Sequence, residues 1–341
     1  MLWYIKKRRY VKSGELRVES GGRLDKVLSQ ALSESRSQIA KLIESGFVEV
    51  DGVVVEKSSY KILEGQRVSY TFVEAERRES TPVDFDMKIL YEDDELLVLD
   101  KPAGVVVHPA PSVKEATVVD WLVARGISLS TIAGEERYGI VHRIDKVTSG
   151  ALLVAKNNDA HRELSSQLQN KSMGRYYLAL IDYPLKDNLT IERSIGRNPS
   201  NRLKMAVVPD GRYAKTDFAR IAQSRTGTTE LVAARLHTGR THQIRVHLSS
   251  VGRHIIGDEL YGYRDSPKMK ERIFLHAFRL YFTHPASGKR IEIKAPLPED
   301  MKSYMIKNYD RSETDEKWIE KRLDDLFGSA GFTDSDRLCR S

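Results

Sequence analysis

The run HRIDKVTSGALLVAK, residues 142–156, decides how the rest of the chain is read. It is preceded by YGIV and ends in GALLVAK, two short apolar runs of the kind that fill buried strands. Between them the chain turns, so Asp145 stands on a loop that returns through Ser149 and Gly150 into the second run. A lone aspartate in such a loop ordinarily shapes the turn by accepting hydrogen bonds from nearby backbone amides. Whether its carboxylate carries chemistry instead depends on what the rest of the chain brings to it.

Outward from this loop, YGIVHR, LLVLD, RYYLALI, TELVAARL and RIEIKAP read as further strands, and NDAHRELSSQLQN reads as a helix. TGRTHQIRVHLSSVG reads as another helix, entered through Thr238 or Thr241. Strands interspersed with helices over residues 86–309 predict an α+β domain, with a mixed, largely antiparallel central sheet and flanking helices. Residues 310–341 are a charged tail in which only WIEKRLDDLF suggests a short amphipathic helix. Upstream, AERRESTPVDF (75–85) has the charge and turn residues of a linker.

Residues 17–74 read as a separate small domain, preceded by a basic extension over 1–16. Leu24, Val27, Leu28, Ala31 and Leu32 recur at helical spacing, and Ile39, Leu42 and Ile43 repeat the pattern. Ser33 and Ser35 are candidate caps for the second helix, and Gly46 is its candidate stop. FVEVDGVVVE then reads as two short strands around an Asp51-Gly52 turn.

With 40% hydrophobic residues among 341, the chain can bury a real core, which excludes wholesale disorder. Its mean hydropathy is −0.45 and no apolar run approaches ~18 residues, so no membrane-spanning helix is expected. The opening MLWYIKKRRYVK holds charge where a secretion signal needs an apolar stretch, and a cytoplasmic location is expected. One cysteine, Cys339, can make neither an internal disulfide nor a thiolate zinc cluster. A net charge of +7 is compatible with a polyanionic partner without establishing one.

The small domain resembles the S4 RNA-binding domain in its order of motifs: Arg23-Leu24-Asp25, then Ser35-Arg36-Ser37, then Gly46 and the V-x-V-D-G hairpin. Arg36, Gln38 and Lys41 fall at the start and on one exposed face of a short helix, where cations and amides can meet phosphates. Equally, they are ordinary solvated positions of an amphipathic helix. Arg23 joins them as a candidate RNA contact through the resemblance.

For the large domain, H-R-I-D-x-x-T-S-G resembles the signature of RluA-type pseudouridine synthases, with Ile144 where leucine is common. DKPAGVVVHPAPS (100–112) is similar to another of the family's motifs, in wording closer to the RluD branch. RYYLALI matches a segment usually written K-x-Y-x-A, with Tyr177 at the tyrosine and Arg175 where lysine is usual. RLKMAVV, GRYAKTDF, LHTGRTHQIRVHLSSVGRHIIGDELYG and LHAFRLYFTHPASGKRIEIKAPLP continue the match, which spans roughly residues 17–300. GRHIIGD departs from the commoner G-H-P-I-x-G-D at Arg253 and His254.

The resemblance implies isomerisation of a uridine within RNA: the N1–C1′ bond breaks, uracil rotates and C5 joins C1′. It implies no cofactor, and the chain has neither a dinucleotide fingerprint nor a phosphate-binding P-loop. By carry-over, Asp145 works at C1′, by attack or through a glycal-like elimination. Tyr177 packs on the extruded base and moves a proton, and Arg245 pairs with Asp145 and holds it ionised. Arg143 fills the space the base leaves or holds a phosphate, against the plain alternative of a strand-end salt bridge. Arg202, Lys204, Arg240 and Arg253 are candidates for lining the RNA cleft. His142 reads as structural.

His237, His242 and His247 are five apart, which on a helix separates neighbours by ~140°, so no metal is expected there. The implied partner is ribosomal RNA or an assembling large ribosomal subunit, with no DNA and no membrane; on oligomeric state the sequence is silent. The competing readings are a transfer RNA substrate, or an idle RNA-binding assembly factor on the same scaffold, which would be expected to have lost Asp145, Tyr177 or Arg245.

Overall fold

The computed structural model describes residues 9–32, 34, 36–74, 82–110, 113–130, 138–264 and 272–328. The proposed caps Ser33 and Ser35, and Cys339, lie outside them. The chain divides into two compact units, residues 1–80 and 81–341.

In the first unit the elements run β1 (Arg9–Arg17), β2 (Gly22–Arg23), α1 (Leu24–Leu32), α2 (Arg36–Glu44), β3 (Val48–Val50), β4 (Val53–Val54), β5 (Lys61–Ile62) and β6 (Arg67–Glu74). Four strands pair in the order β1-β6-β3-β4. Asp51 and Gly52, at φ 50° and 82°, make the tight turn that the sequence signals between β3 and β4. Gly46, at φ 77°, ends α2. Leu24, Leu28, Ile39 and Ile43 close the core from the helices against Val48, Val50 and Val68 of the sheet. One boundary is corrected: residues 9–16 are no free extension but most of β1, paired with β6 from Arg9↔Glu74 to Arg17↔Arg67. Basic composition disguised a strand that the sheet edge completes.

The second unit runs β7 (Lys88–Glu92), β8 (Leu96–Lys101), α3 (Val118–Ala124), β9 (Ser149–Ala155), α4 (Asn158–Gln169), β10 (Gly174–Asp182), β11 (Leu189–Glu192), β12 (Ile195–Arg197), β13 (Met205–Val207), β14 (Lys215–Gln223), β15 (Thr229–Leu236), α5 (Gln243–Ser249), β16 (Leu275–Thr283), β17 (Arg290–Lys294), α6 (Glu299–Asn308) and α7 (Glu316–Phe327). A nine-stranded sheet has the order β11-β14-β15-β10-β16-β9-β8-β7, with β17 also on β16. Its pairs are antiparallel except β16 with β9. This is the mixed, largely antiparallel α+β fold the sequence predicts.

Both faces of the sheet are covered, which is why its central strands read as nearly continuous apolar runs. On β10, Tyr177, Ala179 and Ile181 face a core shared with α3 and α5, while Leu178 and Leu180 face one shared with α6 and α7. Leu153 on β9 packs with Ala160 and Leu164 of α4.

Three expectations change here. YGIVHR is no strand: Ile140 makes one isolated bridge to Val154, and the chain then turns. The supposed tail supplies α7, whose Ile319 and Leu323 are fully or almost fully buried against the sheet; its charged face masked its apolar stripe. The end of the linker belongs to this unit, since Val83 and Phe85 pack on its core and Asp86 accepts from Trp121 Nε1 at 3.1 Å. Among the described residues no helix is long and apolar enough to cross a membrane.

Candidate active site

Residues 142–148 form the irregular, turning segment that leads into β9. His142 is buried and accepts from the Leu153 amide at 3.1 Å, the structural role read from its place. The turn closes with the Thr148 amide donating to the Asp145 carbonyl at 3.0 Å. Gly150, at φ 111°, then enters β9; a Cβ there would lie 2.3 Å from the Ala277 carbonyl oxygen, so only glycine lets β16 run beside it.

The Asp145 carboxylate takes no part in that turn. Among the described residues its hydrogen bond comes from Arg245 Nη1, at 3.4 Å. The turn-forming role belongs to its backbone, and the side chain is left partly open to a cleft.

Arg245 comes from α5, shorter than the sequence suggests and entered not through Thr238 or Thr241 but at His242, in the left-handed region at φ 56°. Thr238 is otherwise engaged, its hydroxyl donating to Gln243 Oε1 at 2.8 Å. Arg245 is buried and forks onto Asp258, Nε to Oδ2 at 2.7 Å and Nη2 to Oδ1 at 2.9 Å. Its guanidinium carbon lies 4.8 Å from the centre of the Tyr261 ring. Burial works against its charge, but the hydrogen bond and attraction of Asp258, then the attraction of Asp145, raise its pKa above the ordinary arginine value. Asp258, the final residue of GRHIIGD, is the site residue that sequence reasoning missed; its burial beside an arginine 13 positions earlier has no local signature.

Tyr177 lies in the apolar core and in the lining of the cleft at once. Burial, opposed by Arg175 and reinforced by Asp145, pushes its phenol up to about 12, so it is neutral near pH 7. Tyr176 points to the opposite face, its ring centre 5.4 Å from that of Phe327 and 6.0 Å from that of Tyr281.

Arg143 is exposed and donates to Thr241 Oγ1, joining the Asp145 loop to the segment before α5. The salt bridge considered for it does not form among the described residues. It lines the cleft with Arg240, whose Nε donates to the Tyr213 carbonyl at 2.9 Å. Arg202 and Lys204, between β12 and β13, do not line the cleft, and Arg253 donates to the Pro184 and Gly252 carbonyls instead.

Lys101 is a second residue missed. It is fully buried at the end of β8, and its Nζ donates to the carbonyls of Pro102, Val105 and Lys146 at 2.7, 2.8 and 3.2 Å. It thereby ties the DKPAG loop to the residue following Asp145. Burial lowers its pKa to about 7, with Asp145 opposing that shift.

In the first unit, Arg23 and Arg36 converge on one buried carboxylate. Arg23 Nη2 and Arg36 Nε reach Asp25 Oδ2 at 3.0 and 2.9 Å. Lys41, in the last turn of α2, is exposed and Gln38 is half-buried. Both arginine side chains stay about half exposed, at 50% and 54%, which leaves room for a further partner. The three histidines separate onto different partners: His237 on Asp217, His242 on Tyr261, His247 on Thr216. Among the described residues no cluster of His, Cys, Asp and Glu could hold a metal ion.

Residues 95–250 match the family model of RNA pseudouridylate synthase, and residues 22–68 match that of the S4 domain. A protein of Helicobacter pylori strain J99, named an uncharacterized RNA pseudouridine synthase, is 42% identical over 309 residues, covering 88% of this chain and 94% of that one. A ribosomal large subunit pseudouridine synthase D of Nitrosomonas europaea is 40% identical over 292 residues, covering 83% of each. The solved structure of human RNA pseudouridylate synthase domain containing 1 superposes with a TM-score of 0.50 at 27% identity, covering 62% of this chain and 83% of that one. With its cleft, its sheet and its N-terminal S4 domain, the chain belongs to the family of RNA pseudouridine synthases.

Proposed function

We propose that this enzyme converts uridine to pseudouridine in large-subunit ribosomal RNA, with Asp145 as the carboxylate that works at C1′. The ribosomal assignment is supported by the relative from Nitrosomonas europaea, whose name carries that substrate. The role of Asp145 is carried by one observation: its carboxylate is spared from its own turn and meets the buried Arg245 at the edge of the cleft.

The reaction is an isomerisation, so atoms and electrons are conserved within the nucleotide. The base leaves the stack at a cost of a few kcal/mol and enters between Asp145 and Tyr177. Arg143 exchanges Thr241 for RNA as the base enters, taking its place in the stack or a phosphate. Arg245 pairs with Asp145 and Tyr177 is the platform beneath the uracil. Once C5 has joined C1′, C5 gives up its proton while N1, freed from C1′, takes one up, and the Tyr177 phenol relays the proton from C5. Arg23, Arg36, Gln38 and Lys41 supply RNA affinity from the S4 domain, and Arg240 does so at the cleft; Arg202 and Lys204 reach RNA from outside it.

The test is a map of pseudouridine in total RNA, by carbodiimide-dependent reverse-transcription stops, from cells with and without the protein and with Asp145→Asn. Stops in large-subunit RNA that vanish in both deficient samples support the reading. Stops lost only from transfer RNA would move the substrate, and stops that persist with Asp145→Asn would remove Asp145 from the chemistry.

A further inference from the structure

Three arginines are buried among the described residues, and two have carboxylate partners. Arg245 holds Asp258, and Arg279 holds Asp324 at 2.6 Å with Glu292 at 3.7 Å. Arg175 is 8% exposed, its Nε is buried with no hydrogen-bond partner, and among the described residues no carboxylate pairs with it. A buried guanidinium without a counter-charge is strongly unfavourable, so a folded chain that keeps one is expected to meet the missing charge from elsewhere.

Its position says where. On β10 it shares a face with Tyr177, and it lines both the Asp145 cleft and an adjoining groove of about 600 Å³. Arg143, Gly239 and Arg240 line both as well. A Cβ on Gly239 would fall 2.8 Å from Arg175 Nη1, so glycine there leaves space for the guanidinium. The groove adds Lys171 and Arg212 and includes no aspartate or glutamate in its lining. Next to Arg175, His142 accepts through Nε2 and therefore carries its proton on Nδ1, which is also buried without an acceptor. Two buried donors, one on β10 and one in the segment before β9, thus lack an acceptor, beside a groove of positive lining.

We propose that Arg175 anchors one backbone phosphate of the RNA, in the groove next to the cleft that receives the extruded uridine; this rests on the placement of that uridine at Asp145. A polymer that puts its base in one cavity runs its backbone through the other. The planar fork of arginine can bind two non-bridging oxygens of one phosphodiester, which the single ammonium of lysine cannot.

The test uses the full-length enzyme and a synthetic RNA hairpin carrying the mapped uridine, with a methylphosphonate replacing each flanking phosphate in turn. The hairpin follows whichever RNA the map returns, so a wrong ribosomal assignment changes the probe and leaves this comparison standing. Arg175→Gln is expected to weaken binding about 10- to 100-fold, the range for a hydrogen bond to a charged group. Arg175→Lys is expected to recover part of it. At one flanking position the methylphosphonate should weaken wild-type binding by a similar factor and leave the Gln variant's binding unchanged. The slope of log affinity against log salt should become shallower by about 0.7–0.9 in the Gln variant, as for one lost phosphate. Removing an unpaired buried cation should leave the melting temperature unchanged or raised. Equal methylphosphonate penalties in wild type and Gln variant at every position would overturn the proposal. So would a lowered melting temperature with unchanged affinity, which is the signature of a structural arginine.

Discussion

Arg245 binds Asp258 through two hydrogen bonds, at 2.7 and 2.9 Å, and reaches Asp145 through one, at 3.4 Å. The buried carboxylate thus holds the guanidinium in place, while the carboxylate facing the cleft is touched end-on and stays partly exposed. Removing one partner of a buried pair costs about 3–5 kcal/mol, so Asp258→Ala should lower stability by that order in thermal or denaturant unfolding. Asp258→Asn keeps the shape and removes the charge, freeing Arg245 to close on Asp145. Its single-turnover rate should fall while RNA affinity holds, and a wild-type rate would refute this division of labour.

Tyr177 and Tyr176 are adjacent in sequence and opposite in surroundings. Tyr177→Ala removes both the ring, worth ~1–3 kcal/mol of base–aromatic stacking, and the phenol, so turnover should fall by about 10³-fold or more. Tyr177→Phe keeps the ring and should keep RNA affinity while losing about 10²-fold in single-turnover rate through the missing proton relay. Tyr176→Phe should react at nearly the wild-type rate, since its ring packs against Phe327 and Tyr281. An unchanged Tyr177→Phe rate would leave that residue as a platform alone.

The Asp25 carboxyl is held down to about 2, chiefly by the hydrogen bond from Arg23 and further by Arg36, against burial. In the unfolded chain it titrates near 3.9. A lowered carboxyl pKa stabilises the fold fully above about pH 4, and that contribution disappears as pH falls from about 4 toward about 2. With both arginines half exposed, it amounts to at most about 1 kcal/mol. Hydrogen exchange of the S4-domain amides, corrected for intrinsic rates, should report this loss in the wild type. Asp25→Asn should be less stable at pH 6 and should lose less stability across the acid range than the wild type does, Asp51 still titrating below its ordinary value.

A chain beginning at Thr81 should fold by itself, because the two units divide there and Val83, Phe85 and Asp86 remain with the core they pack on. It should bind RNA more weakly and with a shallower salt dependence, having lost the phosphate contacts proposed for the S4 domain. A chain beginning at Met87 strips those residues away and should be less stable by about 1–3 kcal/mol. Equal affinity and equal salt slope for the full chain and the Thr81 chain would show that the S4 domain adds nothing to binding.

By itself the sequence determined the elements whose signals are local. The apolar runs of β8, β9, β10 and β15, the Asp51-Gly52 turn, the stop at Gly46 and the helix after β9 all follow from periodicity and turn chemistry within a few residues. The order of motifs around Asp145, Tyr177 and Arg245 carried the family. Tertiary structure alone decided what depends on residues far apart in the chain. That Asp145 is spared from its turn, that Asp258 takes the stronger grip on Arg245, and that Lys101 ties two loops through three carbonyls depend on packing that no short window contains. The same holds for β1 and α7: a basic strand and a charged helix look like tails until the sheet edge and the apolar face that receive them are in place. Periodicity records which side of an element is apolar; only the assembled core records what that side, or a buried charge such as Arg175, is set against.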